Sequence, residues 1–227
     1  MNASSTRRVL ASGDTPIAPR ERMPRKKTGP TPALELRDAC IVAAQEVIAE
    51  RGIENLSLRD VARRLGVSHQ APYKHYPSRD HLLAEVMRRC FQRFAAHLDA
   101  RPRFEDPEQD LESLGMQYLG YAQAHPLEYR LMFSTTWPDV AKELDLVRDA
   151  THAFDVLRGV LRRVHGEGAG MRDTVDLDAL CIWSMVHGLA GVMNGQCVGM
   201  LDIKASVLKR TVRHAMDRLA AGLAGKT

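Results

Sequence analysis

The chain has 227 residues, 44% hydrophobic and 26% charged. These are the proportions of a globular protein whose core needs neither disulfides nor metal. Its +4 net charge is unevenly placed: residues 1–33 hold seven basic and two acidic residues, while residues 34–85 come to −1 and residues 86–227 to zero. The excess points to a polyanion partner at the N-terminal end. At about 150 residues per domain the length allows one large domain or two unequal ones. No run nears the roughly 18 consecutive apolar residues of a membrane span, and no apolar stretch near the N-terminus resembles a secretory signal. Cys40, Cys90, Cys181 and Cys197 lie far apart with no zinc spacing. Free thiols, no membrane and a cytoplasmic location are therefore expected.

In chain order, residues 1–33 contain five of the eleven prolines and almost no apolar periodicity, which predicts a disordered basic arm. Its last cations, Arg25, Lys26 and Lys27, are candidates to lie against phosphates or in a minor groove. Thr31-Pro32 offers a cap with Pro at the first helical position. Leu36, Cys40, Ala43 and Val47 then recur at helical spacing up to Gly52. Ser57-Leu58-Arg59-Asp60 reads as a capping box with Asp in place of Glu. Leu58, Val61, Ala62 and Leu65 mark a two-turn helix ended by Gly66. Ser68 is placed to cap a helix over His69–Tyr76, and Ser78 to cap a long one with the stripe Leu83, Val86/Met87, Cys90, Phe94, Leu98.

Further helices are predicted through Leu111–Ala122, around Leu127–Phe133, and through Leu146–Val164. Another starts at Asp176 or Asp178 and runs to Met193, and a last one spans Ile203–Leu219. No segment alternates with period two. The fold class is therefore all-α with about nine helices. A helix-turn-helix module is expected over 34–82 and a larger effector and dimerisation domain over 83–227.

A short helix, a tight turn at Gly66 and a newly capped helix form the helix-turn-helix pattern. The segment His69–Tyr76 is almost free of aliphatic residues, so His69, Gln70, Tyr73, Lys74 and His75 are poor core builders and good candidates for a major groove. Pro72 removes one intrahelical hydrogen bond, tolerable in a first turn.

Gly66-Val67-Ser68 followed by Ala71-Pro72-Tyr73-Lys74-His75-Tyr76-Pro77-Ser78-Arg79-Asp80-His81-Leu82-Leu83 resembles the signature of TetR-family transcriptional regulators. It departs from the usual pattern at Pro72, Tyr76 and Arg79. The resemblance implies that His69, Gln70, Ala71 and Lys74 reach base edges, and that Tyr73, His75 and Arg79 contact phosphates. Ser57 and Arg59, at the start of the preceding helix, also lie where a phosphate is favoured. Trp183-Ser184-Met185-Val186-His187-Gly188-Leu189-Ala190-Gly191 is similar to the Trp…His-Gly helix (WHG-type) of one TetR subgroup.

In the neutral C-terminal part, Met116, Met132, Phe133, Trp137, Trp183, Met185, His187 and Met193 are candidates to line an adaptable apolar pocket. For each one, ordinary core is the competing role, and His187 reads first as a hydrogen-bonded structural histidine. Gly188 and Gly191, with Val207, Thr211 and Ala215 of the last stripe, are candidates for a face that pairs with a second copy. Intramolecular packing is the alternative. No hydrolase, zincin, phosphate-loop or dinucleotide motif occurs, so an enzyme, a cofactor and a metal are not expected. The resulting expectation is a homodimeric regulator that binds double-stranded DNA at a palindromic operator, a repressor released by a small hydrophobic effector. A DNA-binding dimer without an effector, and a helical enzyme or binding protein with an incidental helix-turn-helix, stay open.

Overall fold

The computed structural model describes residues 33–139, 144–166 and 171–195, and positions 200, 204, 207, 210, 211, 213–215, 217 and 218. The predicted arm with Arg25, Lys26 and Lys27, the Thr31-Pro32 cap, Cys197 and much of the last predicted helix lie outside the described residues. Among the described residues the fold is all-helical, with α1 (Ala33–Arg51), α2 (Leu58–Leu65), α3 (Arg79–Asp99), α4 (Pro107–Ala124), α5 (Pro126–Phe133), α6 (Leu144–His165) and α7 (Met171–Asn194). Two 3-10 turns, Ile53–Asn55 and Pro72–Lys74, flank α2 in the chain. The described residues from Ala33 onward form one compact unit.

Local chemistry sets the boundaries. Ser57 caps α2 by accepting the Asp60 backbone N–H at 3.1 Å. Gly66 closes it in the left-handed conformation (φ 66°), with its own N–H on Arg63 and the Val67 N–H on Ala62. This is the paired bonding of a Schellman motif, and the positive φ is what requires glycine there. Ser78 caps α3, accepting the His81 N–H. Asp106 does the same for α4, with Pro107 in the first turn.

One element departs from expectation. The predicted His69–Tyr76 helix is only a turn at 69–71 and the 3-10 turn Pro72–Lys74. No side chain caps that 3-10 turn. The reason is Pro72: without an N–H it cannot bond back to Ser68, whose carbonyl instead takes the Ala71 N–H at 3.0 Å in a tighter i→i+3 turn. Elsewhere α7 starts at Met171, several residues before Asp176.

The core is continuous from α1 to α7. Cys40, Ile41, Val47 and Ile48 of α1 meet Val61 of α2 and Leu82, Val86 and Met87 of α3. The second half of α3 supplies Phe91, Phe94 and Leu98, which pack with Leu111, Tyr118, Leu131, Met132, Leu157, Leu161, Ile182 and Val186. At 21 residues α3 is about 31 Å long, long enough to take part in both groups. Arg172–Asn194 is, among the described residues, the one helix long and apolar enough to cross a membrane (mean hydropathy 1.3). Its Val175, Ala179, Ile182, Val186 and Ala190 stripe is buried in this core.

A buried ion pair pins the far end. Both Arg101 and Asp110 side chains are almost wholly enclosed, with Arg101 Nη2 3.2 and 3.3 Å from the two Asp110 oxygens and Arg101 Nη1 donating to the Leu98 carbonyl. Arg163 of α6 adds a 2.7 Å contact to Asp110 and donates to the Phe104 and Glu105 carbonyls. One carboxylate thus ties the end of α3, the start of α4 and the end of α6.

Candidate nucleic-acid interface and apolar cavity

The exposed turn after α2 is seated by two buried residues. Pro72 is enclosed, and Tyr76 is 3% exposed with its hydroxyl donating to the Arg37 carbonyl of α1 at 3.0 Å. Burial pushes the Tyr76 pKa up to about 12, so it stays a neutral donor. Around these anchors His69, Gln70, Tyr73 and Lys74 are exposed, while Ala71 and His75 are half-buried. The turn therefore presents two amide or amine donors, an imidazole and a phenol at one edge.

On α2, Arg59 is exposed and makes no ion pair with any described residue. Ser57 differs: besides capping, its hydroxyl donates to Asp60 Oδ2 at 2.5 Å. That bond, followed by the Arg63 and Arg51 guanidiniums, holds the Asp60 carboxyl below the usual carboxylate range. A phosphate at Ser57 would compete with this carboxylate. Arg64 seats α2 on α1 through Glu46 and Glu50.

Arg79 carries an intramolecular role beside the expected one. Its guanidinium donates to the Ile53 carbonyl at 2.8 Å, the Leu56 carbonyl at 3.2 Å and Asp80 at 3.2 Å. It closes the loop between α1 and α2 over the start of α3. Of the phosphate candidates, Tyr73 and Arg59 are free to reach outward, whereas Ser57 and Arg79 are engaged inside the protein.

An apolar cavity of about 470 Å³ opens among α3, α4, α6 and α7. Phe91, Phe94 and Leu98 of α3, Leu111, Leu114 and Tyr118 of α4, Val147, Ala150, Thr151, Ala153, Phe154 and Leu157 of α6, and Leu180, Ile182, Trp183 and Val186 of α7 line it, with Phe133 and Trp137. Of the pocket candidates, Phe133, Trp137 and Trp183 fall on the wall. Met132 is fully buried elsewhere in the core, Met185, His187 and Met193 lie off the wall, and Met116 is 43% exposed on α4. The α3 and α6 residues recur at ordinary helical spacing. Their spacing shows which side is buried but gives no sign of the empty space they face.

His187 sits behind the wall in a polar knot. Its Nδ1 lies 2.7 Å from the Tyr129 hydroxyl and 3.1 Å from that of Tyr118. Burial lowers the His187 pKa and raises those of both tyrosines, so all three groups are neutral and the imidazole accepts. The structural reading of His187 fits this geometry. Trp137 also lines a second, polar groove with Ile53, Glu54, Arg79, Asp80 and Ser134, so one indole borders both the cavity and the Arg79 clasp.

On α7, Leu177, Leu180, Cys181, Ser184, Gly188, Gly191 and Val192 are exposed, and a Cβ at Gly188 or Gly191 would meet nothing within 4 Å. Close packing against the described residues therefore does not account for these two glycines. Val207 is 44% exposed, Thr211 is exposed and Ala215 half-buried.

Comparison with known proteins gives two family matches. Residues 41–86 match "Bacterial regulatory proteins, tetR family", and residues 111–219 match "Tetracyclin repressor-like, C-terminal domain". Among curated relatives, the transcriptional activator FasR of Mycolicibacterium smegmatis is 27% identical over 52% of this chain and 56% of its own. The transcriptional repressor Rv3405c of Mycobacterium tuberculosis is 29% identical over 52% of this chain and 62% of its own. The chain thus spans little more than half the length of these relatives. A solved protein of unknown function from Rhodococcus sp. RHA1 superposes with TM-score 0.68 at 27% identity, covering 83% of this chain and 95% of that one. A transcriptional regulator from the same organism, at 24% identity and TM-score 0.62 over 82% and 96%, shares the fold. With a helix-turn-helix match at one end, a repressor-like domain match over most of the remainder and the same helical architecture, the chain belongs to the TetR family of transcriptional regulators.

Proposed function

We propose that the chain acts in the cytoplasm as a homodimeric repressor that reads a palindromic operator and is released by a small hydrophobic effector. The observation that carries this reading is the double duty of α3. It starts directly behind the exposed turn, and its second half forms the cavity wall through Phe91, Phe94 and Leu98. A molecule filling the cavity pushes on the helix that aims the turn. The reading divides the chain into an arm over 1–33, a DNA-binding module over 34–82 and an effector and dimerisation domain over 83–227.

His69, Gln70, Ala71 and Lys74 are the base-edge residues, with Gln70 suited to adenine and Lys74 to guanine. Tyr73, His75 and Arg59 take phosphates, and Arg25, Lys26 and Lys27 add contacts from the arm. The open stripe of α7 around Gly188 and Gly191, continued by Val207, Thr211 and Ala215, pairs with a second copy. The twofold axis then sets the recognition turns about 34–36 Å apart. The Trp183 and His187 rings, in tilted contact at 5.4 Å, support placement in the Trp…His-Gly subgroup.

Operator selection from a random DNA pool, followed by binding of variants, tests the reading. Lys74→Ala should weaken the selected site by roughly 5- to 150-fold, the 1–3 kcal/mol of a base contact. Unchanged affinity would remove the turn from the interface. A chain lacking residues 1–27 should bind with a shallower dependence on salt, since fewer counterions are released. An identical slope would reduce the arm to a solubility tail. The effector arm of the proposal fails if a ligand that fills the cavity leaves operator affinity unchanged, because coupling must be reciprocal.

A further inference from the structure

We infer that the cavity selects uncharged, ring-bearing apolar molecules and rejects carboxylates. The inference rests on the effector reading and narrows it to a chemical class. Among the described residues no Asp, Glu, Lys, Arg or His lines the space. Seven of the lining side chains are the rings of Phe91, Phe94, Tyr118, Phe133, Trp137, Phe154 and Trp183. A volume of about 470 Å³ suits a molecule of two or three rings.

The few polar groups on the wall are already used, the Trp183 side chain on the Tyr118 hydroxyl among them. Thr151 Oγ donates back to its own helix, at the Val147 and Arg148 carbonyls. The Trp137 indole N–H donates to the Met132 carbonyl at 3.0 Å. The Tyr118 hydroxyl ends in the knot with Tyr129 and His187. The cation packed behind the wall is Arg158, 4.8 Å over the Phe154 ring. It is held by Asp176 at 2.8 Å and Asp155 at 3.1 Å. A carboxylate entering this space would lose its hydration and gain neither a cation nor a free donor, which is the costliest way to bury a charge. An uncharged ring system loses nothing on entry and gains edge-to-face contacts.

The chain supplies its own readout, because its two tryptophans, Trp137 and Trp183, both line the cavity. The full chain is titrated with biphenyl, cyclohexylbenzene and diphenylmethane, each against its own 4-carboxylate, by fluorescence excited at the red edge of the indole band. The neutral member of at least one pair should bind about 100-fold or more tightly than its carboxylate at neutral pH. The acid should gain about tenfold per unit as the pH falls toward its own pKa near 4.3, since only its protonated form enters. Ala150→Phe, which fills a wall position, should abolish the signal in a chain whose melting transition is retained. A carboxylate binding within tenfold of its neutral partner overturns the selectivity while leaving the effector reading intact, and points to Arg158 released from Asp176. Binding by no member of any pair overturns the effector reading itself.

Discussion

Asp110→Asn lowers the stability of the folded chain by about 3–5 kcal/mol, the cost of stranding a buried charge. The Arg101 side chain is only 3% exposed and its partner 1%. Asparagine keeps the size of the side chain but leaves the Arg101 guanidinium with no counter-charge and one amide N–H facing its donors. The Arg101 Nε already has no partner, so little slack is left to absorb the change. Urea unfolding should show a lower midpoint at unchanged slope. The double variant Arg101→Met, Asp110→Leu should recover most of the loss, since removing both charges removes the desolvation cost as well. Arg163 tolerates this because its side chain is 44% exposed and keeps the Phe104 and Glu105 carbonyls. A loss below about 1 kcal/mol for the single variant would mean that water reaches the pair. The consequence extends to the cavity: Leu111 and Leu114 on the same helix as Asp110, and Leu157 on the same helix as Arg163, belong to its wall.

What the sequence made legible was local. Ser57, Gly66 and Ser78 each act on backbone groups within four residues, so spacing alone places the helix ends and the helix-turn-helix. Pro72 shows the limit of such reading. Its missing N–H was visible, but counting it as a tolerable first-turn loss assumed a helix that would continue beyond it. The backbone instead tightens to a 3-10 turn whose side chains are fixed by Pro72 and Tyr76, and Tyr76 is anchored on Arg37, 39 residues earlier. Nothing in the pattern of residues 69–76 marks that partner. The cavity was half legible for a related reason. Phe133, Trp137 and Trp183 were chosen as large and adaptable, and they do line it. Met116 was chosen on the same ground and is exposed. Val147, Ala150, Phe154 and Leu157 form an obvious apolar stripe, but periodicity cannot distinguish a stripe that meets side chains from one that meets empty space. Arg101 and Asp110 are nine residues apart across a helix boundary, a pairing no periodicity reveals.

Arg79→Met decides between two roles that the same residue type can fill. If the guanidinium is the clasp seen here, the variant should lose about 2 kcal/mol of stability, since charged donors on carbonyl acceptors contribute roughly 1.5–3 kcal/mol and this side chain is 38% exposed. It should also bind the operator more weakly by at least about tenfold, with the salt slope unchanged, because the loop between α1 and α2 no longer holds the start of α3. Arg79→Lys should rescue little: one ammonium cannot span the Ile53 and Leu56 carbonyls as the planar fork does. If Arg79 is instead a phosphate contact, stability is unchanged, lysine rescues, and the salt slope falls by about one. The clasp predicts one thing more. Trp137 borders both the cavity and the groove holding Arg79, so a ligand that displaces this indole alters the surroundings of the clasp. In the Arg79→Met chain a cavity ligand should still quench the indoles, yet shift operator affinity less than in the parent. Equal shifts in both chains would route the coupling through the length of α3 alone.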